Sequence, residues 1–387
     1  MTDYLGQESR IQDFSLWDTM KEKRKVFSFD LEVTARCNND CGHCYINLPA
    51  ADRKAKEKEL TLAEISRIAD EAIALNAVWV LITGGEPLLR EDFPDIFLLL
   101  KRKGLLVSVF TNATLIRKEH VDLFLKYPPR DIEVSVYGAT RETYEKVTNK
   151  PGSFSAFQRG LSLLVDGGVK VRLKAMVMRS NVHETAEISE FCRRYTKDYY
   201  RFDPLLHLRF DGDLARNQKI ISERLSPQEI VAIERGDAER FESLSKNCDK
   251  LINEQFCNYC CDHLFHCGAG NGSFSVSYDG NLRLCSSLWA PQTTFSLRSG
   301  TLKEAWEEHI PRVRNLRSKN PEFLQKCRKC PIINLCLWCP AHAFLETGSM
   351  DAYVEYFCQV AHARAAALGS VKTMGIEEKS GSETNSR

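Results

Sequence analysis

The sequence predicts an α/β fold: a partial (β/α)6 TIM-like barrel of parallel strands, followed by a small cysteine-rich α+β domain. First, continuous apolar segments alternate with segments of helical period between residues 28 and 210, as in parallel strands joined by crossover helices. Second, polar or glycine-containing segments follow the apolar ones, where barrels of this kind carry their reactive groups. Third, beyond residue 257 only short strands remain, around an Asp279-Gly280 turn, and cysteines accumulate, which is typical of a domain held by metal.

Six strands are predicted, each a short apolar segment bounded by polar or glycine residues. They lie at Ser28–Thr34, Val78–Thr83, Leu105–Phe110, Ile132–Val136, Val169–Val177 and Leu205–Phe210. The predicted helices lie at Leu62–Leu75, Asp92–Lys103, Lys118–Leu125, Phe154–Asp166 and His183–Tyr195. Thr61 is the expected N-cap of the first helix, and Gly104 ends the second. Six units are too few to close an eight-stranded barrel, so an open one is expected.

The 387 residues are expected to form five segments. Residues 27–212 contain the barrel, and residues 213–256 are charged and helical, forming a bridge to the next region. Residues 257–370 form the cysteine-rich domain. An N-terminal extension (1–26) precedes the barrel, and the Glu/Lys/Ser-rich tail (371–387) is expected to be disordered.

Charge and cysteine content narrow the class of protein. The net charge is +1, with acidic and basic residues mixed, so neither a nucleic-acid nor a membrane partner is expected. No segment has the length and apolarity of a membrane span or a signal peptide, which predicts a cytoplasmic protein. In that reducing compartment the fifteen cysteines are expected to bind metal rather than to form disulfides.

Three cysteines, Cys37, Cys41 and Cys44, lie on the loop that follows the first strand. Three thiolates on one short loop can hold three irons of a [4Fe–4S] cluster and leave the fourth iron without a protein ligand. An open iron is a position for chemistry. The alternative is a structural zinc site in which His43 supplies the fourth ligand, although adjacent His43 and Cys44 are poorly placed to share one tetrahedral ion.

The spacing Cys37-x3-Cys41-x2-Cys44, together with the GGEP motif at residues 84–87, resembles the radical S-adenosylmethionine (SAM) superfamily. This resemblance implies that the cysteines bind a [4Fe–4S] cluster whose fourth iron is chelated by SAM. One electron passing through the cluster then cleaves SAM to methionine and a 5′-deoxyadenosyl radical, which abstracts hydrogen from the substrate. A non-catalytic metal-binding scaffold is the alternative of another class, but it would have no use for GGEP or an open cysteine loop.

The resemblance also assigns further SAM contacts by position. The glycines of GGEP let the backbone come close and its carboxylate favours a cation, so the motif is expected to contact the methionyl ammonium. His43, the residue before the third cysteine, is expected to pack on the adenine of SAM. Asn112 and Ser135, at later strand ends, are implied to contact the ribose or the carboxylate, with a cap or turn role as the alternative. The cofactor-binding set is His43, Gly84, Gly85, Glu86, Asn112 and Ser135.

The C-terminal cysteines resemble the SPASM extension of radical SAM enzymes, which usually holds two auxiliary [4Fe–4S] clusters. The motif Cys327-x2-Cys330-x5-Cys336-x2-Cys339 matches the four-cysteine motif of this extension, with two residues before the last cysteine where three are usual. The resemblance implies that auxiliary cluster I is held by Cys261, Cys267, Cys285 and Cys339. It implies that auxiliary cluster II is held by Cys327, Cys330, Cys336 and Cys358. Cys257 or Cys260 could replace Cys261, and a zinc ribbon is the alternative to the clusters.

SPASM enzymes most often modify peptides or proteins, which predicts an oxidoreductase that takes hydrogen from a peptide or protein side chain and leads to crosslinking or oxidation. The alternative is the same radical chemistry on a small molecule, such as a tetrapyrrole side chain, a sugar or a cyclitol. About 26 residues precede the first strand, too few for a leader-recognition domain. A peptide maturase of this kind would need a separate leader-peptide recognition protein. A flavodoxin or ferredoxin is the expected electron donor.

The catalytic proton acceptor is not identified by the sequence. Sulfatase-maturing relatives place an aspartate base directly after the third cysteine of cluster I, where this chain has Ser286, so formylglycine formation is not expected. Asp203, Asp211, Asp213 and Asp279 are candidates, but turn or cap roles are favoured for all four.

Overall fold

The computed structural model describes residues 24–196, 201–246, 262–336 and 338–380. The strands are β1 (Ser28–Thr34), β2 (Arg36–Cys37), β3 (Leu48–Pro49), β4 (Trp79–Gly84), β5 (Leu106–Thr111), β6 (Asp131–Val136), β7 (Val171–Met176), β8 (Arg201–Asp203), β9 (Ser273–Val276), β10 (Asn281–Arg283) and β11 (Phe295–Ser296). Nine of these strands form one sheet in the order β11-β10-β9-β1-β4-β5-β6-β7-β8, and β2 pairs with β3 in a second sheet. Strands β1 and β4 to β8 pair in parallel, which confirms the predicted α/β partial barrel.

Helices connect the parallel strands and continue through the bridge. They are α1 (Arg53–Lys58), α2 (Leu62–Ala74), α3 (Phe93–Arg102), α4 (Lys118–Lys126), α5 (Arg141–Thr148), α6 (Ser153–Asp166), α7 (Thr185–Tyr195), α8 (Leu214–Glu223), α9 (Pro227–Gly236) and α10 (Ala238–Lys246). The C-terminal region adds α11 (Leu302–Glu304), α12 (Ile310–Arg314), α13 (Pro340–Thr347) and α14 (Glu355–Ser380). Every predicted helix is present, whereas α1, α5 and the C-terminal helices α11 to α14 were not predicted.

Helix α2 illustrates how the spacing of apolar residues and the capping residues predicted the positions of the helices. The Glu64 N–H donates to the Thr61 hydroxyl (3.2 Å), and the Thr61 N–H donates to the Glu64 carboxylate (2.8 Å). This capping box satisfies backbone donors at the start of the helix. Ile65, Ile68 and Ala72 lie on one face and enter the core of the barrel, as their spacing predicts.

The sixth barrel strand lies earlier than predicted, at β8 instead of Leu205–Phe210. Pro204 follows β8 directly and has no N–H to continue the ladder. The residues of the wrongly predicted strand are mostly buried, but side chains satisfy part of their backbone: the Arg209 N–H donates to the side-chain oxygen of Asn217 (2.8 Å). A buried irregular segment has the same apolar pattern as a buried strand, so the pattern alone could not separate them.

The hairpin around Asp279-Gly280 is present as β9 and β10, which pair antiparallel. Strand β9 also pairs in parallel with β1, with Ser28 opposite Ser273. The cysteine-rich region therefore extends the barrel sheet past its first strand, a connection that the sequence did not predict.

The chain ends differ in how far the structure describes them. Helix α14 runs to Ser380, past residue 371, where the sequence predicts a disordered tail. Residues 1–23 and 381–387 lie outside the described residues. Among the helices that are described, none is long and apolar enough to cross a membrane.

Candidate active site

A cavity of about 370 Å³ lies at the carboxyl ends of the barrel strands, the position where barrels of this type carry their reactive groups. Its wall combines the cysteine loop, the strand ends, the segment after β8 and the loop after β10. The predicted site residues that line it are Cys37, Cys41, His43, Cys44, Gly84, Gly85, Asn112 and Ser135. The structure therefore brings the two sequence motifs into one site.

The cysteine loop is held in place by hydrogen bonds with several parts of the chain. Strands β2 and β3 form a short parallel ladder that closes the loop. The Asp40 N–H donates to the Thr148 carbonyl at the end of α5 (2.9 Å). The buried Arg209 guanidinium donates to the Cys44 carbonyl (3.2 Å). The loop that carries the thiols is therefore preorganised, and Arg209 is a contributor that the sequence did not single out.

The three thiols line the same cavity, as the predicted cluster with one open iron would require. Cys41 is buried, whereas Cys37 and Cys44 are partly exposed. Two N–H donors point at the Cys37 sulfur, the Asn39 backbone at 3.4 Å and the Asn112 side chain at 3.7 Å. Burial raises the pKa of the Cys37 and Cys41 thiols above the usual range, so metal binding must release their protons. Thiols on one cavity wall, with N–H donors aimed at sulfur, suit a [4Fe–4S] cluster.

The placement of His43 does not favour the zinc alternative, in which this residue supplies the fourth ligand. The His43 ring packs beside Tyr137 instead, with ring centroids 5.2 Å apart. Burial lowers the pKa of His43 to about 4, so the imidazole is neutral. An uncharged aromatic wall suits the predicted contact with an adenine ring.

The glycines of the GGEP motif let two backbone segments come close together. A Cβ on Gly84, where φ is +133°, would lie 2.1 Å from the Thr34 carbonyl oxygen, and one on Gly85 would lie 2.2 Å from that of Arg36. The Gly85 N–H donates to the Thr34 carbonyl (2.7 Å), and the Glu86 N–H donates to the Arg36 carbonyl (2.9 Å). The motif therefore packs against the first residues of the cysteine loop.

The Glu86 side chain joins the ends of β4 and β5 behind the cavity wall. Its carboxylate accepts hydrogen bonds from the Thr111 hydroxyl (2.8 Å), the Asn112 N–H (2.7 Å) and the Leu88 N–H (3.1 Å). Burial raises its pKa to about 7, although these donors lower it. Its described partners are groups of the protein itself, and the contact with the methionyl ammonium stays a prediction.

Gly85→Ala is expected to reduce cluster loading, because the added Cβ would meet a backbone carbonyl at 2.2 Å and could be accommodated only if the cysteine loop moved. We expect the iron content after anaerobic reconstitution to fall from about twelve toward about eight per chain, the loss of one four-iron cluster. Gly236→Ala is the matched control, since a Cβ there would meet no atom within 4 Å. Equal iron content in the two variants would contradict the positioning role of the motif.

Charged side chains line the part of the cavity formed by β7 and β8. The Lys174 ammonium lies 2.7 Å from the Glu133 carboxylate and 3.9 Å from the ring centroid of Phe110. Arg201 and Asp203 line the same wall from the neighbouring strand. The cysteine loop follows β1, whereas β7 and β8 lie at the other end of the row of parallel barrel strands. This side of the cavity can therefore recognise charged groups.

Four C-terminal cysteines surround a second cavity, of about 360 Å³. They are Cys327, Cys330, Cys336 and Cys358, the set predicted for auxiliary cluster II. The side-chain interaction with Cys358 raises the pKa of Tyr353, which lines the same cavity, to about 12. Four thiols around one cavity suit a fully ligated [4Fe–4S] cluster.

Three of the cysteines predicted for auxiliary cluster I also come together. Burial raises the pKa of the Cys339 thiol to about 12, and the nearby Cys285 and Cys267 thiols raise it as well. The candidates for the fourth ligand, Cys257, Cys260 and Cys261, lie outside the described residues.

A buried ion pair joins this region to the barrel. The Arg283 guanidinium lies 2.5 Å from the Glu32 carboxylate, and neither side chain has exposed surface. The guanidinium also lies 3.5 Å from the ring centroid of Trp289 and donates to the Ser286 carbonyl (2.8 Å). Because Ser286 follows Cys285 and lines the first cavity, the ion pair positions the Cys285 loop against that cavity.

Comparison with known proteins agrees with this geometry. Residues 31–192 match the radical SAM superfamily, and residues 267–331 match the SPASM iron–sulfur cluster-binding domain. This chain belongs to the radical SAM superfamily. The prediction of a radical SAM enzyme with a C-terminal SPASM domain is confirmed.

Relatives of this radical SAM protein carry different names. It is 25% identical to the Fe-coproporphyrin III synthase of Methanosarcina barkeri, over 86% of this chain and 86% of the relative. It is 26% identical to the AdoMet-dependent heme synthase of the same organism, over 82% and 92%. It is also 26% identical to the antilisterial bacteriocin subtilosin biosynthesis protein AlbA of Bacillus subtilis, over 80% and 66%.

Solved structures support the fold of the radical SAM protein. Streptococcus suis SuiB bound to its precursor peptide SuiA is 16% identical, with a TM-score of 0.65 over 93% of this chain and 84% of that chain. Native anSMEcpe with bound AdoMet is 17% identical, with a TM-score of 0.58 over 90% and 99%.

The four candidate aspartates of the radical SAM protein lie in different environments. Asp211 pairs with Arg209 (2.6 Å), Asp213 caps α8, and Asp279 accepts a hydrogen bond within the hairpin turn. Asp213 and Asp279 therefore have the cap and turn roles that the sequence favoured, whereas Asp211 is part of an ion pair. Asp203 lines the cavity and accepts a hydrogen bond from a neighbouring backbone N–H.

Proposed function

We propose that this radical SAM protein is an oxidoreductase that removes hydrogen from a peptide or protein side chain and so installs a crosslink or an oxidised residue. The size of the cavity carries the proposal. Its volume of about 370 Å³ is near the lower end of small-molecule pockets, about 300–1,000 Å³, and SAM must occupy much of it. The remaining space suits one inserted side chain better than a whole macrocycle.

The residues of the site have separate tasks in this proposal. When bound, a [4Fe–4S] cluster with SAM supplies the electron that cleaves SAM, and thus the 5′-deoxyadenosyl radical. Cys37, Cys41 and Cys44 would hold the cluster, and the N–H groups of Asn39 and Asn112 would stabilise negative charge on the Cys37 sulfur. The surrounding barrel excludes water from the reacting groups.

The C-terminal cysteines and external partners complete the proposal. Two auxiliary [4Fe–4S] clusters, held as the SPASM resemblance implies, would receive the electron that the substrate radical gives up. A flavodoxin or ferredoxin would supply the electron for SAM cleavage, and a separate recognition protein would present the leader of a peptide substrate. The relative AlbA, named for the biosynthesis of the bacteriocin subtilosin, supports a peptide substrate.

The proposal is tested by anaerobic co-expression with each short reading frame that flanks the gene. Mass spectrometry of the encoded peptides is expected to show one peptide that has lost two hydrogen atoms for each modification. Co-expression with Cys41→Ala should leave the same peptide unmodified. The proposal fails if every peptide keeps its unmodified mass while the purified enzyme still forms 5′-deoxyadenosine.

An iron tetrapyrrole is the second candidate substrate, favoured by two cations in the cavity wall. Lys174 and Arg201 could bind the carboxylates of such a molecule. The Fe-coproporphyrin III synthase and heme synthase relatives point the same way. Incubation of the reconstituted enzyme with SAM, a reductant and iron coproporphyrin III distinguishes the candidates, since loss of a carboxyl group by mass spectrometry would favour the tetrapyrrole.

A further inference from the structure

The Asn112 side chain lies just after β5, beside the first thiol of the cysteine loop. Its Oδ1 atom accepts hydrogen bonds from the Thr114 N–H (2.9 Å) and the Thr114 hydroxyl (2.6 Å). Its Nδ2 atom donates to the Asn38 Oδ1 atom (3.1 Å) and to the Cys37 sulfur (3.7 Å). An asparagine amide has two donors and two acceptor positions, so groups of the protein itself use all four.

The surrounding hydrogen bonds fix which end of this amide faces the Cys37 sulfur. The Thr114 N–H can only donate, so the amide atom that it meets must be the oxygen. Asn38 closes a ring of hydrogen bonds, since its Nδ2 atom donates to the Thr114 hydroxyl (2.8 Å) while its Oδ1 atom accepts from Asn112. The NH2 group of Asn112 is therefore directed at the sulfur, and a flipped amide would set that group against the Thr114 N–H.

The backbone that carries the amide is fixed as well. The Asn112 N–H donates to the Glu86 carboxylate (2.7 Å), which also accepts a hydrogen bond from the Thr111 hydroxyl (2.8 Å). Asn112 itself is only 7% exposed. The donor is therefore held in place before any charge develops at the sulfur, so little reorganisation is needed to stabilise that charge.

We propose that Asn112 is a positioning residue that raises the reduction potential of the [4Fe–4S] cluster at Cys37, in place of the SAM contact that its position after β5 predicts. This inference rests on the proposed function, which assigns the cluster to the cysteine loop. A reduced cluster carries one more negative charge than an oxidised cluster, and part of that charge lies on the cysteine sulfurs. An N–H donor at sulfur therefore stabilises the reduced form more than the oxidised form, which raises the potential.

The donor at the sulfur affects how the cluster receives its electron. One electron passes from a reduced flavodoxin or ferredoxin to the oxidised cluster, and this transfer becomes less favourable when the potential of the cluster falls. Without the Asn112 amide, a protein donor should support slower cleavage of SAM. A stronger chemical reductant should restore the rate, because it can still reduce the cluster.

The test uses Asn112→Ser, because a serine hydroxyl can still accept the Thr114 N–H but provides no amide donor for the sulfur. The reduced cluster is followed by EPR at controlled potentials, and its signal is the one that Cys41→Ala lacks. At a fixed potential the ratio of reduced to oxidised cluster is expected to fall about tenfold, which is about 59 mV for a one-electron couple. The affinity of the oxidised protein for SAM, measured by equilibrium dialysis, should not change.

Asn149→Gly is the matched control on the other side of the same loop. The Asn149 Nδ2 atom donates to the Asp40 carboxylate (2.9 Å), so this asparagine supports the loop through a carboxylate and not through a sulfur. Its φ of +48° suits glycine. The control should keep both the wild-type potential and the wild-type affinity for SAM.

Asn112→Asp is the second variant, in case serine prevents folding or cluster loading. Aspartate keeps an oxygen for Thr114 but replaces the donor with a second oxygen, so the potential should fall at least as far as with serine. Iron content shows whether each variant has bound its clusters. If neither variant binds the cluster at the cysteine loop while the control does, the inference is overturned, because a group that tunes the potential is not needed for loading.

Three other results would overturn the role of Asn112. The first is an unchanged potential in a cluster-loaded variant, and the second is an equal shift in Asn149→Gly, which would trace the effect to the loop. The third is a weaker affinity for SAM in both Asn112 variants, which would favour the predicted SAM contact. Failure of the proposed function is distinct from these results, since a protein that shows the expected potentials but modifies no peptide keeps the role of Asn112.

Discussion

Cys41→Ala is expected to reduce the formation of 5′-deoxyadenosine from SAM to the background rate. Cys41 is the most buried of the three thiols on the loop, with 6% of its surface exposed. Alanine leaves two thiols, too few to hold three irons of a cluster. The iron content should fall from about twelve to about eight per chain, because only the two auxiliary clusters remain. Anaerobic reconstitution, iron analysis and chromatography of the nucleoside product measure both effects.

Cys192→Ala is the matched control for this experiment. Cys192 is also buried, but it lies in α7 and packs in the core of the barrel. This variant should keep both the iron content and the rate of SAM cleavage. If Cys41→Ala kept the wild-type iron content or the wild-type rate of SAM cleavage, the assignment of the cysteine loop as the site of SAM cleavage would be wrong. Wild-type iron near four per chain would instead rule out the two auxiliary clusters.

Arg283→Met is expected to lower the free energy of unfolding by about 3–5 kcal/mol, the usual cost of removing one partner of a buried ion pair. The substitution leaves Glu32 without its counter-ion in a site with no exposed surface. Burial already raises the pKa of Glu32 to about 7 in the presence of Arg283. Without the cation that pKa must rise further, so the carboxyl group is protonated at neutral pH. Urea unfolding of the wild type and the variant measures the difference.

Two further variants show whether the effect comes from the unpaired charge. Replacing both Glu32 and Arg283 with methionine should recover much of the stability, since buried ion pairs are often matched by apolar residues of similar volume. Arg298→Met removes a surface ion pair with Glu64, whose side chains are 37% and 27% exposed, and should cost less than about 1 kcal/mol. A single Arg283 variant as stable as the wild type would refute the role of the pair.

Local patterns in the sequence predicted the parallel strands of the barrel and the cysteine loop of the site. The strand that ends at Thr34 and the three thiols after it are close in the chain, so spacing carries the necessary information. The sixth barrel strand lies earlier than predicted for a local reason too, because Pro204 ends the ladder although the next residues are apolar. Apolar composition reports burial, and burial alone does not require a strand.

These local patterns could not predict contacts between distant parts of the chain. Arg209 supports the cysteine loop from a position more than a hundred residues away. His207 meets His342 only because the bridge region folds back onto α13. The Glu86 carboxylate accepts hydrogen bonds from β5 and its own turn, contacts that its motif did not predict. Each of these roles depends on packing partners that residue spacing does not reveal.

The pairing of β9 with β1 has a consequence for how the protein is made. One edge of β1 must wait for its partner, which is synthesised about 240 residues later. At the usual rate of translation this delay is roughly 12–50 s, during which an apolar strand edge stays open to pairing with other chains. Such a long sequence separation also slows folding, because the chain must close a large loop before the contact is made. We therefore expect ribosome-bound chains that stop before residue 273 to aggregate or to hold chaperones, and chains that extend past the hairpin to be released from them.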